Sequence, residues 1–222
     1  MCEFVKTKLL PSGNSIPDVG LGVYQSAPGS ETYQAVLAAL KLGYRHIDTA
    51  TVYRNEKDWR GTTRSEAWRA LEDMQIEGLV RDVGVSNFGE LHLRKLAKTW
   101  RLKPAVNQIE LHPWLARADT VKYCEEQGIL LEAYSPLARA KKMHDQTLQK
   151  IANEVSATPA QVLIAWTLSK GFVTLPKSVD ESRIKENLEA AKLILTTEQM
   201  ETLNGLDTYF VTAWDPIKDH AV

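Results

Sequence analysis

The stretch GYRHIDTATVYRNEKD, residues 43–58, is the most informative segment of the chain. A short alternation of apolar and polar residues ends in an acid, Asp48, and a tyrosine, Tyr53, follows five positions later. Alternation of this kind indicates a strand with one buried face, so the residues after Asp48 are expected to form a loop. The segment either carries catalytic residues at the end of a strand or is an ordinary strand end followed by a polar loop.

The composition of the chain is typical of a single soluble globular domain. Its 222 residues are 44% hydrophobic and 25% charged, and we treat residues 1–222 as one domain. A formal net charge of −1 provides no field that would attract nucleic acid or an anionic membrane. The amino terminus lacks an apolar segment of signal-peptide length, so we expect a cytoplasmic protein. Cys2 and Cys124 are too few for a zinc site, and we expect no metal.

Short apolar runs alternate with helix-like segments along the chain. The runs lie at residues 18–24, 44–50, 80–88, 105–111, 129–136 and 172–178. The segments between them carry apolar residues at helical spacing. This alternation predicts a parallel sheet with helical crossovers, either open and doubly wound or closed as a barrel. Residues 5–19 differ, because Ser-Gly-Asn between two short runs predicts a hairpin.

A nucleotide site is better placed late in the chain than early. The doubly wound dinucleotide fold needs a glycine-rich turn after its first strand, but the G-x-G of Gly20 and Gly22 lies inside the strand. In LPKSVDESRIKEN, residues 175–187, Lys177 and Arg183 accompany a predicted helix start. Free helix amides and two cations suit a phosphate monoester. The alternative is a solvated helix start with charge pairs.

Polar side chains also end three other predicted strands. These amide and hydroxyl residues are Ser86, Asn87, Gln108, Tyr134 and Ser135. Polar groups collected on one rim are what a pocket at the top of a barrel requires.

Taken together, these segments resemble the aldo-keto reductase family over nearly the whole chain. The matching pieces, in family order, are LGLGVYQS, GYRHIDTATVYRNE, VGVSNF, VNQIELHP, EAYSPLA, TPAQVLIAW and LPKSVDESRIKEN. The closing WDP is similar to fungal-type members. The resemblance implies an α/β protein with a (β/α)8 TIM-type barrel and an N-terminal β-hairpin. It also implies hydride transfer from NADPH to a small-molecule aldehyde or ketone.

The resemblance implies a role for each matching residue. Asp48 and Tyr53 match the catalytic acid and tyrosine, with Tyr53 as the proton donor. The cofactor groups are matched by Ser86, Asn87 and Gln108 at the carboxamide, Tyr134 at the nicotinamide ring, Ser135 and Leu137 at the pyrophosphate, Lys177, Ser178 and Arg183 at the 2′-phosphate, and Glu186 and Asn187 at the adenine. Gly22, Val23, Tyr24 and Val179 are expected to line the same site.

The chain departs from the family pattern near residues 57–64. The lysine and histidine that assist the tyrosine in the family close the third and fourth strands, and no matching segment is present. A βαβ unit takes about 30 or more residues, so roughly two βα units are absent. Thr62, Thr63 and Arg64 are similar to the lysine segment with arginine in place of lysine, which we interpret as coincidence; the less favoured alternative is that Arg64 is a surrogate cation. Neither His46, expected inside the barrel, nor His112, expected in a structural turn, is a convincing substitute.

The gap leaves two explanations open: the chain lacks the segment, or the sequence omits a stretch that the protein has. A barrel open by two strands would expose strand edges and core side chains, which favours the second explanation. The leading functional hypothesis is a monomeric NADPH-dependent carbonyl reductase. The alternative is a non-catalytic relative that binds NADPH as a sensor or partner-binding module. A barrel remnant with no function of its own is the third.

Overall fold

The computed structural model describes residues 6–22, 30–48, 64–78, 81–212, 214–215 and 217–218. Across these ranges the strands are β1 (Thr7–Leu9), β2 (Ser15–Pro17), β3 (Leu21–Gly22), β4 (Ile47–Asp48), β5 (Val85–Ser86), β6 (Val106–Glu110), β7 (Leu130–Tyr134) and β8 (Val173–Leu175). The α-helices are α1 (Ser30–Leu42), α2 (Arg64–Ile76), α3 (Glu90–Leu96), α4 (Ala118–Gln127), α5 (Gln146–Glu154), α6 (Pro159–Ser169), α7 (Glu181–Glu189) and α8 (Thr197–Asn204). Two 3₁₀ turns lie at Ala138–Ala140 and Ala190–Lys192. The predicted alternation is confirmed, whereas α8 was not predicted.

The predicted amino-terminal hairpin is confirmed. β1 and β2 pair in antiparallel fashion, with Lys8 opposite Ile16. The turn between them requires Gly13, whose φ of 88° is unfavourable for residues with a side chain. The Gly13 amide donates to the carbonyl of Leu10 at 2.9 Å, which closes the turn.

The remaining strands are parallel, as the sequence predicts. β5, β6, β7 and β8 form one sheet in that order, and β3 pairs with β4. Single bridges from Val19 to Thr174 and from Gly22 to Lys177 join β3 to β8, so the order is β4-β3-β8-β7-β6-β5. Within the described ranges no pairing joins β4 to β5, so the barrel is not closed there. The six parallel strands have their carboxyl ends at one edge, which we call the rim.

Helix α6 anchors the larger core. Its start is fixed by a capping box: the Thr158 hydroxyl accepts from the Gln161 amide at 3.2 Å, and the Gln161 side chain accepts from the Thr158 amide at 3.1 Å. Pro159 occupies the first turn, where a proline is tolerated. The fully buried Trp166 donates from Nε1 to Asn204 at 2.9 Å, which attaches α8. This core supports β6, which carries Gln108, and β7, which ends in Tyr134.

A second apolar cluster positions the helix that follows β8. Leu21 of β3 is buried against α1 and α7, together with Ile184. The buried Tyr44 hydroxyl donates to the Ile184 carbonyl at 3.1 Å. The start of α7 is therefore held next to the end of β3. In the part of the chain that is described, no helix combines the length and apolar character needed to cross a membrane.

Candidate functional site

The parallel register brings the predicted polar residues together at the rim. Ser86 at the end of β5 is paired with Gln108 of β6, and Tyr134 ends β7. Lys177 follows β8 and bridges Gly22 of β3. Because all these strands run in the same direction, residues from distant parts of the sequence share one surface.

The Tyr134 hydroxyl forms a hydrogen bond with the side-chain amide of Asn87. Asn87 has a left-handed backbone, with φ of 62°. Its backbone N–H donates to the backbone carbonyl of Gln108 at 2.9 Å. Burial, and to a lesser extent the charge of Glu110, raises the pKa of Tyr134 to about 12, so the phenol is protonated at neutral pH. Its hydroxyl donates to Asn87 Oδ1 at 2.9 Å. The amide nitrogen of Asn87, a donor, is therefore the end turned away from Tyr134.

Gln108 is held by both its backbone and its side chain. The Ser86 hydroxyl donates to the Gln108 carbonyl at 3.0 Å. The Gln108 side chain donates from Nε2 to Glu132 Oε2 at 3.2 Å. Glu132 is 6% exposed, and its other oxygen lies 3.9 Å from Nε2 of His46. The His46 side chain is thus largely buried next to Glu132, on the inner side of the strands, as expected from its position two residues before Asp48.

At the start of α7, the structure corrects one part of the sequence reasoning. Lys177 and Arg183 are exposed there. Two of the backbone N–H groups that were expected to be free already donate hydrogen bonds to side chains of the same segment. Ser178 Oγ accepts from the Asp180 amide at 3.2 Å, and Asp180 Oδ1 accepts from the Arg183 amide at 3.0 Å. Hydrogen bonds from Ser182 and from the Arg183 amide hold the pKa of Asp180 below its usual range, so this carboxylate opposes an anion. A phosphate here would depend on the two cationic side chains.

The other residues predicted to bind the cofactor lie after β7 and in or next to α7. Ser135 has a left-handed backbone after β7, with φ of 49°, and Leu137 immediately precedes the 3₁₀ turn. The Glu186 side chain accepts from the Thr158 hydroxyl at the start of α6, and Asn187 is only 3% exposed. Val179 packs against the α1–α7 cluster.

Of the predicted catalytic pair, Asp48 and Tyr53, the structure describes only Asp48. Asp48 ends β4 with its backbone opposite Gly22, which agrees with the predicted strand end. Tyr53, Val23 and Tyr24 lie outside the described residues. Their roles stay predictions from the sequence.

One group at the rim was missed by sequence reasoning. Glu110, two residues after Gln108 on the same strand face, is 1% exposed. Its Oε1 lies 3.3 Å from Nε2 of the buried His112, accepts from the Thr212 amide at 3.1 Å, and also accepts from the Thr212 hydroxyl. The acid in VNQIELHP was the available signal, but its partner lies 102 positions away.

Arg117 completes the attachment of the carboxyl-terminal segment. It is 5% exposed, and Nη1 donates to the Tyr209 hydroxyl and to Asp215 Oδ1, each at 3.1 Å. Its Nε donates to the Glu110 carbonyl at 3.3 Å. The Asp of the closing WDP therefore has a buried partner, and Tyr209 and Asp215 are tied to the end of β6.

The described residues contain no group of three histidine, cysteine or acidic side chains arranged to hold a metal ion. The single cysteine among them, Cys124, is buried, and burial raises the pKa of its thiol to about 11. A buried thiol with a raised pKa is a poor nucleophile. The described side chains at the rim are amides, hydroxyls, carboxylates and cationic groups.

Comparisons with known proteins identify relatives along the chain. A sequence model of the Aldo/keto reductase family matches residues 57–208. An uncharacterized oxidoreductase of Saccharomyces cerevisiae is 32% identical and covers 93% of this chain and 96% of its own length. Glyoxal reductase of Bacillus subtilis is 33% identical over 90% of this chain and 92% of its own length. The crystal structure of an aldo/keto reductase from Brucella melitensis has a TM-score of 0.82 at 31% identity, covering 91% of this chain and 100% of that chain.

The lengths of these matches contain further information. The yeast match extends over 271 aligned positions, whereas 93% of this chain's 222 residues is about 206. About 65 aligned positions, the difference between 271 and 206, therefore have no residue in this chain. This shortfall is close to two units of about 30 residues each.

The substitution Glu110→Gln is expected to destabilise the protein by about 1–3 kcal/mol at neutral pH, because buried groups lose a charged acceptor. Burial alone would raise the pKa of Glu110, but hydrogen bonds from His112 and Thr212 lower it below its usual range. The stabilisation is therefore complete above the unfolded-state pKa of about 4.3 and is lost as the pH falls through the lower folded-state pKa. Urea unfolding of both proteins from about pH 7 to about pH 3 measures this difference in unfolding free energy.

The control is Glu154→Gln, which changes a carboxylate bonded to the Gln199 side chain at the protein surface. This substitution should alter the unfolding free energy by less than about 0.5 kcal/mol. A wild-type advantage over Glu110→Gln that stayed constant, or grew, with acidity would contradict the assigned role of Glu110.

Proposed function

The chain belongs to the aldo/keto reductase family, and from this premise we propose that it reduces aldehydes or ketones to alcohols with hydride from NADPH. The observation that carries the proposal is the pair of hydrogen-bonded amides, Asn87 directly after β5 and Gln108 within the adjacent strand β6. The relative named glyoxal reductase supports a small carbonyl compound as substrate.

The described residues fit a nicotinamide cofactor in chemical type. A carboxamide has a donor NH₂ and an acceptor oxygen, and the rim offers the donor end of Asn87 beside the Gln108 side chain. Tyr134, half-buried beside them, offers an aromatic ring. Lys177 and Arg183, exposed beyond β8, supply positive charge for a 2′-phosphate.

The proposed chemistry assigns the proton to Tyr53. Bound NADPH would supply the hydride that adds to the carbonyl carbon, leaving negative charge on the carbonyl oxygen. A donor beside that oxygen accelerates the step by about 10²–10⁴. A phenol with a pKa of about 10 is a weak donor unless neighbouring groups stabilise its anion. In the family pattern this stabilisation comes from a lysine, which the acid matched by Asp48 holds in place, and from a histidine.

We also propose that the gap relative to the family lies near residues 57–64. β4 and β5 lie at the two ends of the six-strand order, so a missing pair of strands would belong between them. The roughly 65 unmatched positions in the yeast comparison agree with a pair of βα units. The gap would remove the lysine and histidine that the family places next to the tyrosine.

The gap relative to the family supports a second candidate function. A relative that binds NADPH without turnover would retain the carboxamide and phosphate groups and lack part of the catalytic set. The described rim has this composition, since Asn87, Gln108, Lys177 and Arg183 are all present. Binding and turnover must therefore be measured separately.

NADPH is expected to bind more tightly than NADH, because Lys177 and Arg183 both lie within the proposed 2′-phosphate site. Charged hydrogen bonds at an exposed site are worth about 1.5 kcal/mol, so Lys177→Ala and Arg183→Ala should each weaken NADPH binding about tenfold and leave NADH binding unchanged. Asp180 reduces the overall preference by repulsion. Quenching of protein fluorescence on titration with each cofactor measures these affinities.

Lys185→Ala is the matched control, because it removes the same charge from α7 at an exposed position paired with Glu189. It should leave both affinities unchanged. Equal affinities of the unmodified protein for NADPH and NADH would contradict the proposed 2′-phosphate site.

Tyr53→Phe should reduce turnover of a reactive aldehyde by at least ~100-fold, because the proton donor is lost. The affinity for NADPH should stay within about twofold, since the phenol donates a proton and does not hold the cofactor. NADPH oxidation with a nitrobenzaldehyde is followed by absorbance. Tyr123→Phe, on the buried face of α4, is the control for removal of a phenol.

The result separates the two proposed functions. NADPH binding with no measurable turnover by the unmodified protein would favour the non-catalytic relative. Full turnover by Tyr53→Phe would exclude Tyr53 as the donor.

A further inference from the structure

A buried asparagine binds the backbone directly after the residue that is proposed to hold the carboxamide. Asn107, on β6, is 0% exposed. Its Nδ2 donates to the Phe88 carbonyl at 2.8 Å, and its Oδ1 accepts from the Phe88 backbone N–H at 3.4 Å. Because one side chain binds both backbone groups of Phe88, the peptides on either side of that residue have a fixed direction relative to β6.

The partners of the Asn107 amide allow only one orientation of it. A backbone N–H needs an acceptor and a backbone carbonyl needs a donor, so the amide oxygen faces the first and the amide nitrogen faces the second. Nδ2 also contacts the Sγ atom of the buried Cys124 at 3.7 Å, and a thiol sulfur is a weak acceptor. Both ends of the Asn107 side chain therefore have partners in the layer between β6 and α4.

Two consecutive residues of β6 hold the chain where it leaves β5. Asn107 and Gln108 are neighbours on β6, so their side chains point to opposite faces of the sheet. The Gln108 backbone carbonyl accepts from the Asn87 N–H at 2.9 Å, directly after β5 ends. The Asn107 side chain binds Phe88, the next residue of the chain. Asn87 is therefore fixed by its own N–H and by the clamp on the residue that follows it.

The backbone of Asn87 is left-handed, with φ of 62°, and this conformation requires support. Residues with a side chain adopt it rarely, although asparagine does so more readily than most. Such a conformation costs free energy and persists where neighbouring contacts fix it, which is common at ligand sites. The contacts made by Asn107 and Gln108 fix the backbone of Asn87, and the Tyr134 hydroxyl binds its side chain.

We propose that Asn107 is a positioning residue for the nicotinamide: by clamping Phe88, it fixes the left-handed turn at Asn87 that presents the Asn87 amide to the carboxamide. Asn107 lies on the face of the sheet that packs against α4, so it acts through Asn87 and does not touch the cofactor. The phosphate end of the cofactor, at Lys177 and Arg183, does not depend on this clamp. This inference rests on the proposed use of NADPH.

The test compares NADPH with 2′-phospho-ADP-ribose, which has the 2′-phosphate and lacks the nicotinamide ring. Asn107→Leu removes both hydrogen bonds to Phe88 with little change in side-chain size. This variant should bind NADPH about 5- to 10-fold more weakly than the unmodified protein, because the carboxamide loses an aligned hydrogen bond. Its affinity for 2′-phospho-ADP-ribose should stay within about twofold, since distant sites are independent. Isothermal titration calorimetry measures both dissociation constants, with no turnover required.

A double variant shows whether Asn107 acts through Asn87. Asn87→Gly removes the amide and keeps the left-handed backbone, which glycine adopts without strain. It should weaken NADPH binding by about 5- to 10-fold, and the addition of Asn107→Leu should weaken binding by less than about twofold more. Asn204→Ala is the control, because it removes an asparagine hydrogen bond to Trp166 of α6. It should lower the stability and leave both affinities unchanged.

The outcomes separate this inference from the function on which it rests. Equal weakening of both ligands by Asn107→Leu, no weakening, or effects that multiply in the double variant would overturn it. If the unmodified protein binds NADPH no more tightly than 2′-phospho-ADP-ribose, the inference fails while the 2′-phosphate site stands. If it binds neither ligand, the proposed function fails as well.

A second variant covers the case in which circular dichroism shows that Asn107→Leu is unfolded. Asn107→Ser then replaces it, because one hydroxyl cannot bind both backbone groups of Phe88. The same loss of NADPH affinity, with unchanged affinity for 2′-phospho-ADP-ribose, is expected, and equal loss for both ligands would overturn the inference.

Discussion

The parallel register of β5, β6 and β7 is the constraint on which the rest of the structure depends. Ser86 lies opposite Gln108, and Gln108 lies opposite Glu132, so three residues from distant segments form one row across the strands. The chain at Gly84, just before β5, lies so close to β6 that a side chain would not fit, because an added Cβ would lie 2.3 Å from Val106 Cγ2. The hydrogen bonds of the Ser86 hydroxyl and of the Gln108 side chain follow from this register.

The rim is also tied to the carboxyl-terminal segment. Glu110 lies two residues beyond Gln108 on β6, where it binds Thr212, and Arg117 connects the same point to Asp215. Glu110 also contributes to the raised pKa of Tyr134, which keeps the hydroxyl a donor toward Asn87. The segment and the proposed nicotinamide pocket are therefore coupled electrostatically through one carboxylate.

Sequence reasoning reached the parts of this structure that depend on local pattern. Strand–helix alternation, the hairpin and the polar strand ends such as Ser86 and Gln108 are visible in residue spacing. Partners chosen by tertiary register are not, and the contact of Glu110 with Thr212 spans 102 positions. The amides of α7 were expected to be free, but Asp180 caps its own helix, and a local cap competes directly with a bound anion.

Hydrogen–deuterium exchange with and without NADPH tests most directly whether the cofactor binds along the rim. The account predicts slower exchange at the carboxyl ends of β5, β6 and β7 and in residues 175–187, with no change in α5 or in the β1–β2 hairpin. Unchanged exchange along the rim at saturating NADPH, or protection confined to the hairpin end of the molecule, would contradict it.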